Sequence, residues 1–158
     1  MAESALAGSA LAYLWILIIM KEEPMTLKKI MIRLPALLIA GGIWFLSSQS
    51  TLPQPKGILG IDKIQHMAAY LVLAMSIGIW ISSAFWQERR FLAFLLVVLF
   101  ASVYGVMDEV HQYFTPGRDC NVWDWIADVF GAVSGAAAMM WANIWLLHKI
   151  KAGFKAAA

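Results

Sequence analysis

Charged residues are what this chain has least of. Ten acids and 12 bases in 158 residues make 14%, where soluble domains carry about 25%. Hydrophobic residues make up 61% of the chain, and the mean hydropathy is +0.71. So few polar side chains cannot cover a surface in water, and lipid is the expected solvent. A basic excess is lacking too. The formal net charge is only +2, with no basic arm or stacking platform, which argues against nucleic acid as a partner. Cysteine is almost absent. Cys120 stands alone, so no intrachain disulfide can form and the redox compartment is left open. There is no P-loop, glycine-rich phosphate cradle or Gly-x-Ser-x-Gly element. Ser47, Ser48 and Ser50 therefore read as loop residues rather than nucleophiles.

What the chain does have is apolar runs with tryptophan near their ends. The eight Trp residues mostly fall near the ends of these runs, which fits the interfacial preference of that side chain. Ala5 to Met20 is an apolar run of about 24 Å as helix. It is short for a span, though Lys21 can snorkel and lengthen it. A cleaved signal peptide is the rival reading. It would want basic residues ahead of the apolar core, where Glu3 is the only charge. A span is predicted from Ile30 to Leu46, with Pro35 in its first turns, where a missing donor costs little. A loop rich in Ser and Pro comes next. The third span opens at Ile61 and continues to Ser83, with Asp62, His66 and Tyr70 on one helix face. The fourth runs from Phe91 to Met107 after a short charged turn at Phe85 to Arg90. The last runs from Val122 to Leu147, capped by Asn121 or Asp119. Ala127, Gly131, Gly135 and Ala138 form a small-residue ridge on it, suited to close helix packing. The fold class is therefore all-α, a polytopic membrane helix bundle of four or five transmembrane helices with a polar pocket at its outer interface. Its divisions are a short apolar segment over 1–24, a membrane domain over 25–151 and a disordered tail over 152–158.

Nine of the 12 basic residues fall on one side of these spans: Lys21, Lys28, Lys29, Arg33, Arg89, Arg90, Lys149, Lys151 and Lys155. The other side holds only Lys56, Lys63 and Arg118. The positive-inside rule makes the rich side cytoplasmic, together with the C-terminus.

The scarce acids are concentrated as well. Asp108, Glu109, Asp119, Asp124 and Asp128 are half of the acidic residues, in one stretch between apolar runs. With Asp62, Lys63 and His66 they converge on the extracytoplasmic end. Helical spacing puts Asp108, His111 and Gln112 on one face and turns Glu109 aside by about 100°. Asp128 lies deepest, and an ionisable group in a span is a site hypothesis by default. The structural alternative for it is a buried pair with Arg118 or Lys63. His66 and His111 with Asp62, Asp108 and Glu109 are ligand types suited to zinc or manganese. Their spacing is no known metal pattern, however, so no metal is assigned and the cofactor stays unknown. Acid–base work is favoured. Asp108 or Glu109 would be the acid or base, with His66 or His111 as proton partner. Asp62, Lys63, Gln112, Arg118, Asp124 and Asp128 would bind the ligand, Lys63 and Arg118 anchoring an anion. The opposing reading makes the same charges a lock between helix ends.

Asp62-Lys63-x-x-His66-x-x-x-Tyr70, then Asp108-Glu109-x-His111-Gln112, then Pro116-Gly117-Arg118, Asp124, Asp128 and Gly131 resemble the VanZ-like family. The resemblance covers roughly Leu46 to Gly135. It implies a small multi-pass protein of the bacterial cytoplasmic membrane with a role in the cell envelope. The family name comes from a member associated with teicoplanin (glycopeptide) resistance. The resemblance brings no settled mechanism. The family's polar signature falls on Asp62, Lys63, His66, Asp108, Glu109, Gln112, Arg118 and Asp124. The expected partners are membrane lipid and a lipid-linked or glycopeptide ligand, with the oligomeric state open. Three functions stand as expectations. One is an envelope protein with an anion-binding pocket that does acid–base chemistry, another a non-catalytic protein with locked helix ends. A transporter is disfavoured, because the charges sit at one end rather than at mid-membrane.

Overall fold

The computed structural model describes residues 27–50 and 60–156. The apolar run before Lys21 and residues 51–59, expected to complete the Ser- and Pro-rich loop, lie outside the described residues. Among the described residues five helices succeed one another: α1 (Leu27–Ser47), α2 (Ile61–Gly78), α3 (Ser83–Glu88), α4 (Arg90–Tyr113) and α5 (Val122–Ala156). There is no strand among the described residues. Three of the helices contain stretches long and apolar enough to cross a membrane: Ile30–Ser47, Arg90–Tyr113 and Val122–Leu146.

Helix boundaries obey local chemistry. The α5 N-terminus is capped by Asn121, whose Oδ1 accepts from the Trp123 amide at 3.0 Å. Thr115 to Gly117 turns the chain between α4 and α5, and Gly117 takes φ 82°, a left-handed value suited to glycine. Pro35 lies inside α1 rather than in its first turns, because the helix begins upstream at Leu27. α2 ends at Gly78, short of the expected Ser83. Ser82 then starts α3 by accepting from the Phe85 amide at 3.2 Å, so the expected charged turn is partly helical. α5 continues to Ala156, through residues expected to be a disordered tail. Those residues are mostly Ala and Lys, both good helix formers.

The bundle is small inside and large outside. The core takes Ala74, Ala93, Val97, Ala101, Ala132 and Ala136, all fully buried. Leu95, Leu99, Val103, Val106 and Val110 on α4 face outward. That arrangement suits lipid contact, since small interior residues let helices approach closely. α5 packs most extensively on α2 and next on α4. The ridge on α5 runs Ala127, Gly131, Gly135 and then Met139, which fits beside Gly78. Ala138 is exposed rather than part of the ridge, because a strict four-residue step from Gly135 lands on Met139. Three bonds from side chain to main chain cross-brace the helices: Trp86 Nε1–H to Gly78 O at 3.0 Å, Trp125 Nε1–H to Ser102 O at 3.1 Å and Tyr104 O–H to Ala40 O at 2.6 Å.

Candidate functional site

Three helix ends meet at one end of the bundle: the start of α2, the end of α4 and the start of α5. On α4 a four-residue step runs along the packed face through Ala93, Val97, Ala101 and Gly105 to Glu109, all buried. Asp108 and Gln112 are buried with it. The expected grouping of Asp108, Gln112 and His111 with Glu109 turned aside is therefore corrected. Glu109 faces inward because it continues the ridge of small residues. His111 lies on the flank, stacked on the Trp44 ring at 3.9 Å, and its Nε2 lies 2.9 Å from Ser48 Oγ. It is not grouped with His66.

Two polar groupings result, and they differ in kind. At the rim, the Lys63 ammonium donates to Asp62 Oδ2 and to Asp124 Oδ1, each at 2.6 Å. This ties α2 to α5. Lys63 and Asp62 are partly exposed but the Asp124 side chain is only 12% exposed, so Lys63→Met, which leaves the Asp124 carboxylate without its partner, should cost about 1–3 kcal/mol. Thermal melting in detergent checks this, and a larger loss would make the rim ties the main lock of the bundle.

Deeper in, His66 Nδ1 and Asp128 Oδ1 are 2.9 Å apart, and Asp128 is completely buried. Asp128 lies six residues into α5, roughly 9 Å along the axis at 1.5 Å per residue. Its partner is neither Arg118 nor Lys63, the pairing weighed from sequence. Arg118 donates from Nη2 to Leu46 O at 3.2 Å, and Lys63 is taken up at the rim. Glu109 Oε2 accepts from the Asn121 amide at 2.8 Å, and Asp108 Oδ2 accepts from Gln112 Nε2 at 3.1 Å. The second oxygen of each of Asp108, Glu109 and Asp128 is buried without a hydrogen-bond partner among the described residues, as is the Tyr70 hydroxyl. One donor atom from each of His66, Glu109 and Asp128 lies within 4.8 Å of the other two.

Tyr70, Gly105 and Asn121 belong to this site but are not among the catalytic or ligand-binding residues expected from sequence, which places Tyr70 only on the His66 face and Asn121 only as a helix cap. Tyr70 does stand one turn beyond His66, and that spacing carries its signal. A Cβ on Gly105 would meet Asp128 Oδ2 at 3.1 Å and Tyr70 Cε1 at 3.3 Å, so glycine leaves the room the carboxylate occupies. Beside the cluster, between α2 and α5, lies an open groove of about 330 Å³ lined by Lys63, Ile64, Met67, Trp123, Ile126, Ala127 and Phe130. It is apolar except at the Lys63 end.

Residues 9–145 match the VanZ/LLP1 family. The matched range extends beyond the Leu46–Gly135 stretch that carries the motifs and begins upstream of Met25. No curated protein and no solved structure matches the chain.

Proposed function

The chain belongs to the VanZ/LLP1 family, and from that premise we propose that it works in the cell envelope on an anionic, lipid-linked ligand held at the extracytoplasmic end of the bundle. The protein resides in the bacterial cytoplasmic membrane. α2 crosses it as a fourth span, about 27 Å long at 1.5 Å per residue. The basic residues on the opposite side from the cluster orient it. The ligand's apolar chain lies along the α2–α5 groove and its head group reaches the cluster. His66, held by Asp128, and Glu109 exchange protons with it.

One observation carries this reading. Asp128 and Glu109 are buried, and among the described residues no Lys or Arg bridges to either. Buried carboxylates without a Lys or Arg partner are a poor way to hold helices together, because desolvation costs several kcal/mol each. The rim ties from Lys63 favour the locking role, but only for Asp62 and Asp124.

The test is teicoplanin susceptibility of a sensitive bacterium expressing the protein or Glu109→Gln at matched membrane levels. Wild type should protect and Glu109→Gln should not. Equal protection by both would remove Glu109 from the working site. No protection by either would rule out a glycopeptide-related role in that host.

A further inference from the structure

The geometry points to a single divalent transition-metal ion, zinc or manganese, held by His66, Glu109 and Asp128 at this end of the bundle. The inference deepens the acid–base reading and rests on the same three residues. One imidazole and two carboxylates match the donor preferences of these metals. Three protein ligands with a further position open is the pattern of catalytic rather than structural sites. The donor atoms lie within 4.8 Å of one another. Tetrahedral ligands at about 2.0–2.1 Å stand roughly 3.3 Å apart, so side-chain movement on the order of an ångström closes the set.

Two independent features ask for a cation here. Asp128 and Glu109 are 0% and 4% exposed, and each keeps one buried oxygen with no hydrogen-bond partner among the described residues. A protonated His66 offsets one of the two negative charges. A divalent ion offsets both and satisfies the orphaned oxygens. The second feature is the sign of the site. Four carboxylates, on Asp108, Glu109, Asp124 and Asp128, would repel an anionic head group, while Lys63 is already shared between two acids. A divalent metal offsets two of those four charges, and its open position accepts one oxygen of a phosphate or carboxylate on the ligand. Asp128 Oδ1 and His66 Nδ1 already stand 2.9 Å apart, near the spacing of two ligands on one such ion.

The experiment uses the full chain purified in detergent. Metal content is measured by mass spectrometry as isolated, and again after chelation and reloading with zinc chloride or manganese chloride. Wild type should hold about one ion per chain, and reloading should raise its melting temperature by several degrees. Glu109→Gln and Asp128→Asn should each retain at least about tenfold less metal, with unchanged helix content by circular dichroism. Asp119→Asn, in the exposed loop before α5, should retain it all. Wild type that neither carries nor takes up an ion overturns the inference without recourse to any variant. So does equal retention by both site variants. The outcome is separable from that of the function proposed above. A metal-free wild type whose protection still depends on Glu109 leaves the acid–base reading standing and removes the metal. A metal-loaded wild type whose protection ignores Glu109 keeps the metal and removes that function.

Discussion

Asp128→Asn should abolish protection while leaving the chelated protein at least as heat-stable as the wild type. The two effects are expected to separate because Asp128 has two relations to its surroundings. Its Oδ1 faces His66 Nδ1 at 2.9 Å, and its Oδ2 is buried with no hydrogen-bond partner among the described residues. Asparagine keeps the shape and one acceptor for the His66 ring but removes the negative charge. Loss of a charged proton partner typically costs about 10²–10⁴ in rate where acid–base work limits turnover. In the fold the same change removes a desolvated carboxylate that no Lys or Arg bridges among the described residues. Replacing poorly compensated buried charge is often neutral or stabilising by about 1–4 kcal/mol. A helix-locking role predicts the reverse, a clear loss of melting temperature. Melting curves in chelator and susceptibility assays at matched expression decide between them. Retained protection would take Asp128 out of the working site, and a large thermal loss would make it structural.

That contrast also marks how far the residues could be read without coordinates. Spans, order and turn were legible because their signals are local. Apolar length gives α1, α4 and α5, Pro116-Gly117 marks the turn, and Asn121 caps α5. Three helix ends meeting at one place was legible from connectivity alone. Which face of each helix turns inward was not. Periodicity fixes the angle between Glu109 and His111 but not which of them the bundle encloses. That choice came from the small residues Ala93 to Gly105 packing inward, and it sends His111 to Trp44 instead. Partner choice among charges was equally closed to sequence. Lys63 had several acids at plausible separations, and only the α2–α5 approach selects Asp124 and leaves Asp128 to His66.

The same approach makes Gly131 the position least able to carry a side chain. A Cβ there would stand 2.2 Å from Met67 O and 3.0 Å from Leu71 N, both main-chain atoms of α2. No rotamer change relieves such a clash, so Gly131→Ala must push α2 and α5 apart. Gly135 repeats the contact one turn on, 2.3 Å from Leu71 O. Overpacking a tight interface costs about 1–3 kcal/mol and more when backbone is the obstacle. At roughly 2–4 °C per kcal/mol for a chain of this size, Gly131→Leu should lower the melting temperature by well over 10 °C only if the helices separate outright. Gly131→Ala should show a smaller loss. Its functional loss should exceed its thermal loss, because Met67 adjoins His66 and any displacement of α2 widens the His66–Asp128 pair. Gly41 and Gly42 on α1 supply the control. A Cβ on either meets nothing within 4 Å, and Ala there should gain up to about 1 kcal/mol of helix propensity. If Gly131→Ala melts with Gly42→Ala, the close approach of α2 to α5 is not what holds the site together. If it melts early and loses protection at matched levels, helix spacing rather than rim charge positions His66 against Asp128.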